Sequence, residues 1–488
     1  MNEIKAVPTN QLRRNSLGLI AVTFMVISAA APLTGVAGAM PLAFLLGNGT
    51  GIPLTFILLT LVMLAFAAGY VAMSRHVKNA GAFYAYAARG IGGHAGGAVA
   101  ITAMVSYNAM QFGLIGLLGG ISAGVLSQFG LTWDWWVYSL IAILLVGILG
   151  YRQVDLSAKV LIVLVALEYI IVFIVDFAIL GAGGHESTGL AVNIFDFNAL
   201  TTGSLTAAIL FCFGSFIGIE ATTIYGEEAR DPEKTIPRAT YLAVFMIGVF
   251  FVFTTWLMIA GTGANQLQEV IGGLTLPDGT PDPTIHFFML AEQYANPTVA
   301  MLAGLLLISS LFAALSAFHN YIARYSYVAG REGLLPAVFG QTHIAHESPH
   351  VGSVVQTVGA LIILAVFAGL GLDPILNMFT WISQIGTLGV IAMMCVTSIS
   401  VILFFRKSGI AASPVSTVLL PIVAAVIMAG LFFYIFANYG DLTGTTGGSL
   451  SWILPSLIPL AAIIGLLLAA RLKSADPAKF AKMGENQR

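Results

Sequence analysis

The feature that most limits the fold of this chain is a succession of long apolar runs joined by short polar connections. Because a helix that crosses a bilayer needs about 20 mostly apolar residues, each run predicts one transmembrane span. With 58% hydrophobic and 9% charged residues, against about 25% charged residues in soluble domains, most of the surface is expected to face lipid. Numbered spans 1 to 12 in chain order, the runs lie at roughly 17–46, 52–74, 95–128, 133–150, 156–181, 203–226, 239–262, 297–328, 352–371, 375–405, 414–437 and 452–471.

The positions of the basic residues provide an independent check on these twelve spans. All 20 Lys and Arg fall in the terminal segments, in alternate connections or at the adjoining helix ends. The remaining connections carry acidic residues such as Asp134, Glu186 and Asp278. A missed or extra span would scatter the basic residues over both sides. The positive-inside rule therefore predicts a multi-pass protein of the cytoplasmic (inner) membrane with both termini in the cytoplasm.

The domain organisation predicted from this pattern is simple. Residues 1–16 form a cytoplasmic N-terminal tail, 17–471 a single transmembrane domain, and 472–488 a cytoplasmic C-terminal tail. The first apolar run is too long for the core of a signal peptide and is therefore interpreted as a retained span. No basic tract indicates a nucleic-acid partner. The two cysteines, Cys212 and Cys395, lie in apolar runs, so neither a metal site nor a cofactor is expected.

Two of the spans contain residues that interrupt a helix. Span 1 contains SAAAPLTG (28–35), in which Pro32 cannot donate an N–H, and span 6 contains GSFIGIE (214–220), in which glycines flank the break. Each alone could be an ordinary kink. The two spans are five apart, however, and paired interruptions at corresponding positions of two repeats indicate a substrate site near the middle of the membrane. Free N–H groups at such a break can hold an anion, and exposed carbonyl groups can hold an ammonium.

Ionisable residues inside a span are functional candidates because they are costly to bury in lipid. Glu168 lies near the middle of span 5 and Glu220 directly follows the break in span 6. Glu168 could load and release a proton, hold Na⁺ or hold the amine of a substrate. Alternatively it is a neutral hydrogen-bonded group that ties span 5 to its neighbours. Asp176, near the outer end of span 5, is expected to be solvated.

Polar and aromatic residues in three other spans are candidates for the wall of the site, although each could equally be a packing residue. They are Tyr107, Asn108 and Gln111 in span 3, Phe312 and Ser316 in span 8, and Trp381, Ser383 and Gln384 in span 10. Tyr107 and Gln111 are one helical turn apart on one face. The stretch GLIGLLGGISAG (113–124) in span 3 has small residues at helix-contact spacing, which predicts close helix packing instead of binding.

Three segments resemble one known family, the amino acid–polyamine–organocation permeases. FIGIEATTIYGEEARDPEKTIPRA (216–239) is similar to that family's sixth span and the loop after it. NAGAFYAYAARGIGG (79–93) is similar to the stretch before its third span, and NYIARYSYVAGREGLLP (320–336) to the signature after its eighth. The three segments are distributed over both halves of the chain, and twelve spans also fit the family.

The resemblance implies a LeuT-type 5+5 inverted repeat, with repeat one at about 17–181, repeat two at about 203–405 and two extra helices at about 414–471. It implies alternating access, with substrate bound between spans 1 and 6 and walls from spans 3, 8 and 10. Phe216 or a neighbouring aromatic residue is then a candidate gate. The contacts implied for the two broken spans are Ala30, Ala31, Pro32, Leu33, Thr34 and Gly35, and Gly214, Ser215, Phe216, Ile217 and Gly218.

Two departures from the family pattern concern what the site binds. Many members have G-[ST]-G in span 1 to hold a substrate carboxylate, whereas this chain has Pro-Leu-Thr at 32–34. Family members that couple amino acid transport to a proton often have a lysine at the position of Glu168. This chain therefore has a negatively charged residue where those members have a positively charged one. Glu220 is a family-wide feature. The residues predicted to couple transport to a proton or ion are Glu168, Glu220 and Ser316.

The sequence thus predicts a secondary active transporter, and not an enzyme, that imports an amino acid or related organic amine. H⁺, or alternatively Na⁺, is the coupling ion, and the protein is a monomer or homodimer in the bilayer. A permease or exchanger for polyamines or other cationic amines is the alternative. An ion channel is disfavoured because the sequence shows no filter segment. An intramembrane enzyme is disfavoured because the sequence shows no nucleophile–base pair and no cluster of metal ligands. Direct use of ATP is disfavoured because there is no phosphate-binding loop.

Overall fold

The computed structural model describes residues 18–77, 81–152, 158–224, 229–346, 348–444 and 447–485. The predicted N-terminal tail, 1–16, and the end of the predicted C-terminal tail lie outside these residues. The described part is helical and has no strand, although Thr275 and Pro281 form an isolated antiparallel bridge. Its α-helices are α1 Leu19–Ala30, α2 Met40–Leu46, α3 Ile52–Ser74, α4 Phe83–Gly90, α5 Gly93–Ser127, α6 Trp135–Tyr151, α7 Ala158–Ala182, α8 Leu205–Gly214, α9 Ala221–Ile224, α10 Pro232–Thr262, α11 Leu267–Gly272, α12 Ile285–Tyr294, α13 Pro297–Arg331, α14 His350–Gly369, α15 Gln384–Ser408, α16 Leu420–Ala437, α17 Gly440–Thr443, α18 Leu450–Ala475 and α19 Pro477–Ala481. Three π-helical segments, Thr34–Ala39, Pro374–Ser383 and Val415–Leu419, precede α2, α15 and α16.

The apolar helices agree with the predicted spans. Among the described residues, nine helices are long and apolar enough to cross a membrane, and they correspond to spans 2, 3, 5 and 7 to 12. The other three spans are represented by shorter apolar helices: the two halves of span 1, α6 for span 4, and α8 for span 6. Large apolar side chains such as Val426, Phe433 and Leu467 are about two thirds exposed, as expected where lipid replaces water. The chain is therefore a multi-pass membrane protein.

Local sequence signals set where several of these helices begin. Proline is tolerated in the first turn, where the N–H has no helical partner, and α3, α10 and α13 all have one there. Ahead of α13, the Asn296 side chain accepts a hydrogen bond from the Val299 N–H at 3.0 Å. Ahead of α8, Ser204 accepts one from the Ala207 N–H at 3.2 Å. These caps fix the ends of the two helices that contribute to the site.

Both predicted interruptions are present. In span 1, α1 ends at Ala30, and Ala31 has φ 44°, a left-handed conformation that stops the helix before Pro32. In span 6, α8 ends at Gly214, and a series of turns follows up to Glu220. Gly218 in these turns has φ 106°, which favours glycine. Each break therefore rests on a residue whose backbone cannot continue the helix.

Helix α5 packs closely against its neighbours through glycine. A Cβ added at Gly113 would lie 2.8 Å from the Ser383 backbone nitrogen, and one at Gly116 would lie 2.6 Å from the Pro374 carbonyl oxygen. The interpretation of 113–124 as a packing stretch is confirmed. The contact places the π-helical segment of span 10 directly against α5.

Replacing Gly116 with Leu is expected to destabilise the protein. The new side chain meets backbone, which cannot move aside cheaply, so we expect a loss of about 1–3 kcal/mol or more, as for other overpacked cores. Thermal unfolding of purified protein measures this as a lower Tm. The matched control is Gly430→Leu in α16, because nothing lies within 4 Å of a Cβ at that position. An unchanged Tm for Gly116→Leu would contradict this packing.

Several basic helix ends meet at one end of the bundle, which we call the basic face. The Lys407 ammonium, at the end of α15, donates to the Gly90 carbonyl at 2.9 Å. Arg89 in α4 forms a 2.8 Å ion pair with Glu485, beyond α19. The ends of spans 10 and 12 and the connection between spans 2 and 3 therefore share a face, in agreement with the predicted alternation of charge.

Candidate functional site

A cavity lies between the two helix breaks. The empty space among the surrounding elements, open solvent included, is about 540 Å³. The broken spans 1 and 6 form one side, and α5, α13 and span 10 form the rest. Its lining residues are Ala30, Ala31, Thr34, Gly35, Ala39, Met110, Leu114, Phe211, Gly214, Ser215, Ile217, Ala314, Phe318, Phe379, Ser383, Gln384 and Thr387.

The side chains described as lining this cavity are uncharged, and three of them have a polar atom without a protein partner. No lining residue is Asp, Glu, Lys, Arg or His. Ser215 Oγ, Gln384 Oε1 and Thr387 Oγ1 make no hydrogen bond to any described residue. The three side chains are only 4%, 3% and 0% exposed. Because buried polar groups are almost always hydrogen-bonded, these three atoms are available to water or to a ligand that enters the cavity.

Two helices end at the cavity with their carboxyl termini. The last residues of α1 and α8, Ala30 and Gly214, both line it. The carboxyl end of a helix carries a partial negative charge from its unpaired carbonyl groups. These two helix ends direct partial negative charge at the cavity, whereas the start of the second half of span 1, at Thr34 and Gly35, contributes the opposite partial charge.

Glu168 lies just outside the cavity and ties three spans together. It projects from α7, is 3% exposed, and its Oε2 accepts a hydrogen bond from the Leu33 N–H at 3.1 Å. The Ser310 hydroxyl of α13 also interacts with the Glu168 carboxylate. Thr34 and Ser310 lie 3.3 Å apart, oxygen to oxygen. The carboxylate thus sits at the start of the second half of span 1, held by spans 5 and 8.

Glu220 has the corresponding position at the other break. Its Oε2 accepts from the Gly218 N–H at 2.9 Å, and its Oε1 accepts from the Tyr107 hydroxyl at 2.8 Å. The Tyr70 hydroxyl donates to the Glu220 carbonyl at 2.9 Å. Glu220 therefore joins the break in span 6 to spans 2 and 3.

The other predicted site residues take several positions. The predicted residues that line the cavity are Ala30, Ala31, Thr34, Gly35, Gly214, Ser215, Ile217 and Gln384. Those outside its lining are Pro32, Leu33, Tyr107, Asn108, Gln111, Phe216, Gly218, Phe312 and Trp381. Gln111 bonds to Gln356. Asn108 donates to the Met104 carbonyl at 2.8 Å, and Phe216 packs against Phe56, with ring centroids 6.2 Å apart. Ser316 donates to the Phe312 carbonyl at 2.9 Å, so the hydroxyl of span 8 that meets Glu168 is that of Ser310.

Comparison with known proteins shows the family. The family model described as "Amino acid permease" matches residues 21–478. The chain belongs to the amino acid permease family. This permease and its relatives are transporters and not enzymes.

Three curated relatives illustrate the range of the family. The low-affinity putrescine importer PlaP of Escherichia coli (strain K12) is 24% identical over 323 residues, 64% of this chain and 67% of the importer. The lysine-specific permease LysP of Lactococcus lactis subsp. cremoris is 26% identical over 220 residues, 42% of each chain. A probable GABA permease of Pseudomonas aeruginosa is 24% identical over 278 residues, 55% of each chain. The last two matches cover about half of the relatives' length, so the family is assigned but not the substrate.

Sequence reasoning missed several lining residues of the permease. Helical spacing could have found some of them: Thr387 is three residues from Gln384, and Phe211 is four from Ser215, so each pair shares a helix face. Ser310 could not be distinguished from Ser316 without knowing how α13 is rotated. The missed lining residues are Ala39, Met110, Leu114, Phe211, Ala314, Phe318, Phe379 and Thr387.

The prediction that Asp176 is solvated is wrong. Its side chain is 0% exposed, and its Oδ2 accepts from the Thr254 hydroxyl of α10 at 2.7 Å. The outer part of α7 packs against α10 and α12, and these helices cover a position that hydropathy alone placed near the membrane surface.

An aromatic cluster separates the cavity from the basic face. Tyr70, Tyr86, Tyr107 and Tyr325 are all at most 7% exposed. The rings of Tyr70 and Tyr86 are 5.0 Å apart, those of Tyr107 and Tyr325 5.7 Å, and those of Tyr107 and the lining residue Phe318 6.1 Å. Because Tyr107 also bonds to Glu220, the cluster connects a cavity wall to the break in span 6.

Below this cluster, the C-terminal segment is docked on Glu332. The Glu332 carboxylate, just beyond α13, bonds to the Tyr84 hydroxyl of α4 and accepts from the Gly484 N–H at 3.1 Å. Met483 is 3% exposed, and the Phe480 ring lies 4.9 Å from His94. Burial raises the pKa of Glu332 to about 7.

We expect docking of this segment to weaken as pH rises. Because the pKa of Glu332 is raised in the docked state, that state prefers the protonated carboxyl group. Docking is therefore strongest below the ordinary pKa of glutamate, and it is lost progressively as the pH rises to about 7. Each unit of pKa difference changes the docking equilibrium about tenfold. Spin labels attached to Ala481→Cys and Ser408→Cys, in protein lacking Cys212 and Cys395, measure the distance between the C-terminal segment and the end of α15. It should lengthen between pH 5 and 8 and become pH-independent in Glu332→Gln. The same pH response in that variant would contradict the role of Glu332.

Proposed function

We propose that this permease imports an amino acid or related organic amine across the cell membrane as a secondary active transporter. The observation that carries the proposal is the cavity between two interrupted helices, with unpartnered polar atoms and no lining charge. Such a site suits a small polar ligand, and interrupted spans are a recurring feature of transporter binding sites. The basic face is then cytoplasmic, with both termini on that side.

The relatives support an amine-bearing substrate. Putrescine, lysine and GABA, which appear in the names of the three relatives, share an ammonium group. Two of the three also have a carboxylate. An ammonium is thus the common element, and the carboxyl ends of α1 and α8 at the cavity favour it.

Alternating access follows from how the breaks divide the spans. Helices α1 and α8 approach the cavity from opposite faces, so movement of one half of a broken span can open one face while the other stays closed. The tyrosine cluster with Glu220 forms the barrier to the basic face. Inverted repeats of five helices would make the two halves equivalent, as in LeuT-type transporters.

Glu168 is proposed as the coupling group. Protonation, or binding of Na⁺, would change how its carboxylate holds the Leu33 N–H and Ser310, and so would change how firmly span 1 is held to spans 5 and 8. Intramembrane carboxylates serve this role in pumps and transporters. A proton is preferred because the carboxylate already has two protein partners.

Transport by purified protein in proteoliposomes tests this function. Labelled lysine, GABA, leucine, putrescine and cadaverine are offered with and without a pH gradient, acid outside. Saturable uptake of at least one of them, enhanced by the gradient, is expected. No movement of any of them would contradict the proposal, and an ion conductance that needs no substrate would favour a channel.

A further inference from the structure

We infer that this permease recognises its substrate through an ammonium group without binding a carboxylate, so that its substrates are alkylamines. The inference rests on the proposed function and narrows it. It comes from two observations: which groups bind the backbone N–H groups at the two breaks, and which groups face the cavity.

One N–H group at each break is already bound by one of the protein's own carboxylates. The Leu33 N–H, at the start of the second half of span 1, is bound by Glu168 at 3.1 Å. The Gly218 N–H, at the break in span 6, is bound by Glu220 at 2.9 Å. These N–H groups are where a substrate carboxylate would be held in such a transporter, and Pro32 supplies none.

A second anion at either position would meet a buried carboxylate. Glu168 and Glu220 are each 3% exposed, so water screens them poorly, and a substrate carboxylate bound to the same N–H group would meet a like charge whenever these side chains are ionised. No lining residue is basic, so no side chain of the cavity offsets this repulsion. The site therefore disfavours a carboxylate at both breaks.

The groups that do face the cavity suit a cation. Gln384 Oε1 can only accept hydrogen bonds, and the Ser215 and Thr387 hydroxyls can accept them. All three lack a partner among the described residues. An ammonium has three donors and no acceptor. The carboxyl ends of α1 and α8 add a negative potential at the same place.

The rest of the cavity suits an alkyl chain. Its remaining lining residues are mostly apolar, among them Met110, Leu114, Phe211 and Phe379. Phe211 and Phe379 have ring centroids 6.3 Å apart and can also attract a cation through their faces. The cavity thus offers acceptors near the breaks and apolar surface around them.

Matched pairs that differ only in the α-carboxylate test this inference. They are cadaverine and lysine, putrescine and ornithine, and isopentylamine and leucine, each used as a competitor of uptake into proteoliposomes and as a ligand in thermal unfolding of purified protein. The amine of at least one pair should bind at least about tenfold more tightly than its amino acid, the effect of one lost ionic interaction. Equal or tighter binding of the amino acid in every pair overturns the inference and leaves the proposed function standing. Binding of neither member in any pair overturns both.

A substitution on α7 tests the physical cause separately. Glu168→Gln keeps an acceptor for the Leu33 N–H but removes the charge, so the preference for amine over amino acid should narrow by about tenfold or more. Asp176→Asn is the matched control: it is the same kind of change on the same helix, at a buried carboxylate that bonds to Thr254 and not to a broken span. It should leave the preference unchanged. An unchanged preference in Glu168→Gln, or equal narrowing in both variants, overturns the role of Glu168.

Discussion

Replacing Glu168 with Gln is expected to abolish accumulation driven by a pH gradient while exchange of substrate continues. Glutamine preserves the size of the side chain and an oxygen for the Leu33 N–H, but it cannot take up or release a proton. A gradient of one pH unit can support about tenfold accumulation through one coupled proton. In the variant, the internal concentration should rise only to the external one. Uptake into proteoliposomes with the membrane potential clamped measures this ratio.

Two comparisons make this result specific. Asp176→Asn, also buried on α7, should still accumulate substrate, because Asp176 bonds to Thr254 and not to a broken span. Exchange by Glu168→Gln shows that the variant is folded and binds substrate. Full gradient-driven accumulation by this variant would assign coupling to another group, of which Glu220 is the first candidate.

Replacing Thr387 with Val is expected to weaken substrate binding without destabilising the protein. Valine has nearly the same shape, and the Thr387 hydroxyl makes no hydrogen bond to the described residues. No bond within the described part of the protein is lost on substitution. A hydrogen bond to a charged group is worth about 1.5–3 kcal/mol, so the apparent Kd should rise about 10- to 100-fold. Competition of labelled substrate uptake by unlabelled substrate measures the change.

Thr397→Val provides the matched control for this prediction. Thr397 lies on the same helix, is 0% exposed, and its hydroxyl also has no hydrogen-bond partner among the described residues. It does not line the cavity, so binding should be unchanged. An unaltered Kd in Thr387→Val, or an equal rise in both variants, would show that the cavity is not the binding site.

The sequence was sufficient for the spans and for the two breaks, because both depend on local properties. Runs of apolar residues need no tertiary information, and the alternation of basic connections provided a second, independent signal. The interruptions at Pro32 and Gly214 likewise follow from backbone chemistry that acts within a few residues. These two breaks also located the lining residues beside them, such as Ala31 and Ser215.

The walls of the site were harder to predict because they depend on how each helix is rotated. Tyr107 and Gln111 lie on one face, yet the first bonds to Glu220 and the second to Gln356. Choosing Ser316 over Ser310 was an error of the same kind. The partner of Glu168 is the backbone of Leu33, which is 135 residues away in the chain. Such a pair appears only when two spans are brought together.

Cysteine accessibility in the cavity tests the central claim most directly. Ala314 lines the cavity and is 2% exposed. A thiol placed there by Ala314→Cys, in protein lacking Cys212 and Cys395, reports from which side of the membrane a thiol reagent reaches the cavity. Ile344→Cys, fully exposed in the connection after α13, controls for sidedness, and should react with an impermeant thiol reagent from the basic face alone. A substrate found in the uptake assay should change labelling at position 314. Alternating access predicts that position 314 reacts from either face and is protected by that substrate. Reaction from one face under all conditions, without protection, would contradict it.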